Sequence, residues 1–131
     1  MINEKQIAEV AEELTKGKRC YIHNSSNEII CLLNKSDDEL GEEDAKLNAH
    51  VQASLEDYKE VLPPSSTLVF KMMDAFTASI EDFEKQSELM QALSFEQPFA
   101  NFRTKVFRLK MEQEWNDFRL PKFIEVVKKQ L

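Results

Sequence analysis

Residues 19–32, Arg19-Cys20-Tyr21-Ile22-His23-Asn24-Ser25-Ser26-Asn27-Glu28-Ile29-Ile30-Cys31-Leu32, decide between an all-helical chain and one that carries a sheet. Two apolar runs rich in isoleucine flank four turn-forming residues, which is the pattern of a β-hairpin. With the turn centred on Ser25 and Ser26, Cys20 stands opposite Cys31 and Ile22 opposite Ile29, all on one side of the ribbon. His23 then faces Glu28 on the other side, together with Tyr21 and Ile30. This register sets apolar against apolar and a basic group against an acidic one, so it is preferred over its neighbours. A two-stranded ribbon is marginal in water, so the hairpin must lie on helices or gain a third strand.

Outward from the hairpin the period changes. Upstream, residues 3–16 predict a helix: Asn3 caps it, Gln6 completes a capping box, and Ile7, Val10, Ala11 and Leu14 share one face. Gly17 supplies its stop. Downstream, residues 34–56 are acidic and read as a loop, with Ser36 and Glu39 as one candidate cap, running into a helix near 43–55. Tyr58, Glu60 and Leu62 alternate with Lys59 and Val61 before Pro63-Pro64, a candidate third strand. Ser65 or Ser66 then caps a helix with Val69, Met72, Met73, Phe76, Ile80 and Phe83 on one stripe, continuing less cleanly through Met90 and Leu93. Phe95, Phe99, Phe102, Val106 and Leu109 form a second stripe, with Pro98 suited to a first helical turn. Trp115, Phe118, Phe123, Ile124, Val127 and Leu131 form the last, which Pro121 should break or kink. The expected fold is α+β and mainly helical: an N-terminal helix, a β-hairpin with or without a short third strand, and three to four C-terminal helices packed on it.

Composition agrees with this. A chain of 131 residues with 42% hydrophobic and 31% charged residues suits a single globular domain, 1–131, able to bury a core without staples. Two glycines and four prolines leave room for long regular segments. No stretch approaches a membrane span and the start does not resemble a signal peptide, so the expected location is the cytoplasm. In that reducing compartment Cys20 and Cys31 are expected as thiols, and the Asn24-Ser25-Ser26 sequon is without consequence.

Net charge is −7, unevenly spread. Residues 37–60 hold nine acids and two bases, whereas residues 101–131 hold eight bases and four acids. The overall acidity argues against generic nucleic-acid binding, where phosphate neutralisation supplies most of the affinity.

Ala92-Leu93, then Pro98-Phe99-Ala100-Asn101-Phe102-Arg103, then Trp115-Asn116-Asp117-Phe118 resemble the bacterial uncharacterised protein family numbered one hundred fifty-eight. Cys20-Tyr21-Ile22, Glu28-Ile29, Pro63-Pro64-Ser65-Ser66, Phe70, Met73 and Phe76 are similar to it in the same order, so the resemblance spans nearly the whole chain. The chain departs from the pattern at Lys129-Gln130-Leu131, where the family has Trp-Leu, and the acidic stretch 37–57 has no counterpart. The resemblance implies bacterial origin and no established activity, and it carries no catalytic or binding residue across.

The residues themselves offer few sites. The stripe Phe95, Phe99 and Phe102 with Trp115 and Phe118 has helical spacing and reads as core rather than ligand groove. Arg103, Lys105, Arg108 and Lys110 form a basic stretch that could meet an acidic partner, an anion or nucleic acid, against the plainer reading of a solvated face. Phe107 and Leu120 fall off the main stripes and are the apolar residues left for a partner. Ser65 and Ser66 read as a helix cap before an anion site. Cys20, Cys31 and His23 lack the spacing of a zinc site, and the register puts His23 on the side opposite the sulfurs. No metal, cofactor or catalytic set is expected, and an enzyme with a composite pocket is the weakest reading. The expectation is a small cytoplasmic protein-interaction or regulatory module, with anion or weak nucleic-acid binding through residues 103–110 as the alternative. Homo-oligomerisation stays open.

Overall fold

The computed structural model describes residues 2–33 and 41–131. The candidate cap at Ser36 and Glu39 lies outside the described residues. The chain divides into two compact units, one made of residues 1–63 with 120–131 and the other of residues 64–119.

The first unit opens with α1 (Glu4–Thr15). The Asn3 side chain accepts from the Gln6 N–H at 2.9 Å and the Gln6 side chain accepts from the Asn3 N–H at 3.0 Å, the reciprocal capping box. Ile7, Val10, Ala11 and Leu14 are its buried residues. Gly17 follows at φ 85°, a left-handed conformation that a Cβ would strain.

β1 (Lys18–His23) and β2 (Ile29–Leu33) pair antiparallel with Cys20 opposite Cys31 and Ile22 opposite Ile29, the expected register. β3 (Tyr58–Val61) pairs antiparallel on the other side of β1, giving the order β2-β1-β3. Thus the central strand is the first in sequence. Tyr21, Ile30, Leu32 and Tyr58 join Val51 of α2 (Glu42–Ala53) in one buried cluster, while α1 packs on β1 and β2. The hairpin therefore gains both supports that a lone ribbon needs.

The Cys20 and Cys31 sulfurs are joined, in place of the two expected thiols. The register explains how. His23 donates its N–H to the Glu28 carbonyl at 2.8 Å, a hydrogen-bonded pair. Alternation along the ladder makes Cys20–Cys31, three pairs further on, a non-hydrogen-bonded one, where facing Cβ atoms lie closest. Their Cα atoms are 4.1 Å apart.

The end of β3 is closed by a side chain. Gln130 donates to the Leu62 carbonyl at 2.8 Å and accepts from the Leu62 N–H at 2.9 Å, so its amide stands where another strand would pair.

The second unit contains α3 (Ser66–Ser79), α4 (Phe83–Ser94), α5 (Pro98–Arg108) and the first part of α6 (Glu112–Gln130). Ser65 caps α3, accepting from the Leu68 N–H at 3.2 Å. Met72, Met73, Phe76 and Thr77 are buried, and the Thr77 hydroxyl donates back to the Met73 carbonyl. Phe76 sits 6.3 Å from Phe102 and 5.3 Å from each of Trp115 and Phe118, and Phe102 sits 5.0 Å from Trp115. These are favourable edge-on and tilted separations. This aromatic cluster is the unit's centre.

Three expectations about the stripes need correcting. Phe83 does not extend the α3 stripe: Asp82 caps a new helix, accepting from the Lys85 N–H at 3.0 Å, and Phe83 is left 78% exposed. On α4 the buried residues are Leu89 and Ala92, while Met90 faces out. Phe95 does not join Phe99 and Phe102: it is the C-cap of α4, separated from α5 by Gln97 at φ 57°, and it is 60% exposed. Apolar spacing ran on across a chain reversal. Pro121 also does not end α6, which continues through it. The turns before it bury Met111 and Trp115 and those after it bury Phe123 and Val127, so packing on each side offsets the lost hydrogen bond.

Candidate functional site

The basic stretch lies on and just after α5, and helical geometry divides it. Asn101, Thr104, Lys105 and Arg108 recur at spacings of three, one and three and share a face. Arg103 lies on a different one with Phe107, four residues on, and both are exposed. Phe107 is 67% exposed, whereas Leu120 is half-buried in α6 and belongs to the other unit. Lys110 follows the helix at φ 58°. Of the six candidate residues, Lys105 and Arg108 come together around one cavity.

That cavity, about 350 Å³, lies between α4 and α5. Gln91 and Ala92 form its α4 wall, Phe95 its end, and Asn101, Thr104, Lys105 and Arg108 its α5 wall. The Asn101 amide donates to the Glu96 carbonyl at 2.8 Å, fixing the α4–α5 connection that presents Phe95. Pro98 occupies the first turn of α5, where its missing N–H costs nothing. Lys105 reaches Glu88 of α4 at 3.9 Å, a loose pair that leaves its ammonium partly unspent, and Arg108 has no ion pair among the described residues. An exposed aromatic ring beside two cations and an amide suits an apolar side chain flanked by carboxylates.

Spacing in sequence did not single out Phe95 for exposure, nor Arg119 at all. Arg119 lies 5.4 Å over the Trp115 ring and donates through Nε and Nη2 to Asn116 Oδ1 at 3.0 and 2.6 Å. Burial pushes its guanidinium below its ordinary pKa. The signal was present as Trp115-x-x-x-Arg119, the one-turn spacing that lays a guanidinium on an indole. A second cavity, about 370 Å³, is lined by Ser66, Thr67, Phe70, Lys71 and Phe99. It has one cation where the α4–α5 groove has two. Among the described residues, no group of three or more His, Cys, Asp or Glu could hold a metal, and no helix is long and apolar enough to cross a membrane.

The aromatic cluster of Phe76, Phe102, Trp115 and Phe118, with the first turns of α5 at Pro98–Arg103, is among the residues behind the family resemblance. The model of an uncharacterised protein family, UPF0158, matches residues 2–127. The chain belongs to UPF0158. The match spans the acidic stretch and ends at residue 127, ahead of Lys129-Gln130-Leu131. No curated protein and no solved structure matches the chain. Membership in UPF0158 brings no activity with it, so function has to be argued from the groove.

Proposed function

We propose that this UPF0158 protein is a non-catalytic protein-interaction module of the bacterial cytoplasm, whose α4–α5 groove takes an acidic partner segment with an apolar side chain at its centre. One observation carries this reading: Phe95, 60% exposed, ends a cavity whose α5 wall supplies Lys105 and Arg108. Phe83 and Phe107 are more exposed still, so exposure alone does not mark a site; Phe95 is set apart by its place in one groove with Lys105 and Arg108, aromatic and arginine side chains being the common anchors of interfaces. Lys105 and Arg108 would set orientation and on-rate, and the ring would supply residence time.

The test uses synthetic peptides, each with a central leucine or phenylalanine flanked by glutamates, against the same peptides with central serine. Single-stranded oligonucleotides and inorganic phosphate serve as competitors. Fluorescence anisotropy should show binding that weakens with salt, and that falls about tenfold for Arg108→Glu or Phe95→Ser, a loss of about 1.4 kcal/mol each. Both side chains are exposed, so folding should not be at stake. Peptide binding that ignores both substitutions would refute the reading. Oligonucleotide binding that the peptides cannot displace would replace it with the nucleic-acid alternative.

A further inference from the structure

The sheet of the first unit carries a pair of side chains for which groove binding has no use. We infer that Cys20 and Cys31 form a reversible thiol–disulfide site, oxidised by a low-molecular-weight disulfide such as glutathione disulfide and reduced by the corresponding thiol. The inference does not rest on the groove or on any partner.

Geometry makes closing and opening local events. The two residues are direct cross-strand partners with Cα atoms 4.1 Å apart, so their sulfurs meet without any shift of strand register. They occupy a non-hydrogen-bonded position, so neither contributes backbone groups to the β1–β2 ladder. The pairs on either side, Arg19–Leu32 and Tyr21–Ile30, hold the register whether the sulfurs are joined or free. Both redox forms therefore share one fold. β3 on the far side of β1 pairs Cys20 with Val61 and pins the central strand further.

Access is one-sided. Cys20 is fully buried on the central strand, whereas Cys31 is half-buried on β2, an edge strand among the described residues. An external thiolate therefore reaches Cys31 Sγ first. Its attack forms a mixed disulfide at Cys31, breaks the Sγ–Sγ bond and leaves Cys20 as thiolate, which takes a proton. A second external thiolate attacks the external sulfur of the mixed disulfide and releases Cys31. Two external thiols become one disulfide, and the two electrons they lose reduce the protein pair. Oxidation runs the same steps backwards: the Cys31 thiolate attacks glutathione disulfide and releases one glutathione thiolate, and the Cys20 thiolate then attacks Cys31 Sγ and releases the second. Among the described residues no third ligand type gathers with the two sulfurs, so a metal site does not compete for them.

The experiment equilibrates the full chain in glutathione buffers of rising oxidised fraction, quenches with acid, alkylates the free thiols and reads intact mass. The expected result is a single shift from two alkylated thiols to none, at ratios between those of reducing and oxidising compartments, with the far-UV circular dichroism unchanged throughout. Two free thiols at every ratio would overturn the inference. So would a bond that glutathione cannot open until the protein is unfolded, or a loss of secondary structure on reduction. Cys20→Ser tests the polarity: it should accumulate one glutathione on Cys31, while Cys31→Ser should leave Cys20 unmodified. Equal modification of both variants would overturn one-sided access, and the wild-type titration stands even if a variant folds poorly.

Discussion

Phe102→Ala removes the best-buried ring of the aromatic cluster, and Phe107→Ala removes a ring five residues along the same helix that faces outward. Phe102 has no exposed surface and touches two rings, Phe76 at 6.3 Å and Trp115 at 5.0 Å. Truncating a core phenylalanine costs about 3–5 kcal/mol through lost burial and the cavity left behind. Loss of two favourable ring pairs places this one toward the upper end, about 4 kcal/mol. Phe107 keeps 67% of its surface exposed, so its removal should cost about 0.5 kcal/mol or less. Trp115 is the sole tryptophan and lies in the cluster, so urea unfolding followed by its fluorescence reports on the second unit directly. Phe102→Ala should move the midpoint far down and also alter the folded-state emission, because the indole loses a neighbour. Phe107→Ala should do neither. Equal costs for the two substitutions, or a cost below about 1 kcal/mol for Phe102→Ala, would refute the assignment of core and surface on α5.

Ser65→Ala should cost about 1 kcal/mol by freeing the Leu68 N–H at the start of α3, with urea titration as the check. Gln130→Ala should cost about 1 kcal/mol and speed amide exchange at Leu62, and unchanged exchange there would show that the side chain does not cover the strand end. Burial raises the Tyr21 phenol above its ordinary pKa of 10.0, so the folded state holds that proton more tightly than the unfolded state. Stability from this group is therefore complete below about pH 10 and is lost as pH rises toward the folded-state value. Tyr21→Phe should flatten the alkaline limb of the stability–pH curve, and an unchanged limb would assign it to other groups.

The hairpin was the most legible part of the chain because its constraints are discrete. One centre for the turn fixes every pair, and a shift by one residue would have turned Ile22 and Ile29 to the wrong side. The Asn3–Gln6 box and the Ser65 cap were legible for a similar reason, since each is a short pattern with a local hydrogen bond behind it. The helix breaks at Asp82 and Gln97 were not. Apolar residues three or four apart look the same whether one helix continues or a second begins, so Phe83 and Phe95 were placed inside when both lie at helix ends. The groove was half legible. Lys105 and Arg108 share a face by spacing alone, but Phe95 enters only because the chain turns back after α4. Arg103 parted from them for the same geometric reason that brought Lys105 and Arg108 together, and Lys110 because the helix ends before it. The thiol expectation for Cys20 and Cys31 came from compartment, and the register that sets the sulfurs side by side was read from the same residues.

The first unit is made of residues 1–63 and 120–131, while the second is the continuous stretch 64–119. Synthesis runs from the N-terminus, so a ribosome delivers everything the second unit needs before it delivers the Gln130 amide that caps the end of β3. For that interval the nascent sheet has β1, β2 and β3 in hand and an open strand edge at Leu62. The translation time of the second unit is therefore the period in which this chain is most exposed to wrong strand pairing.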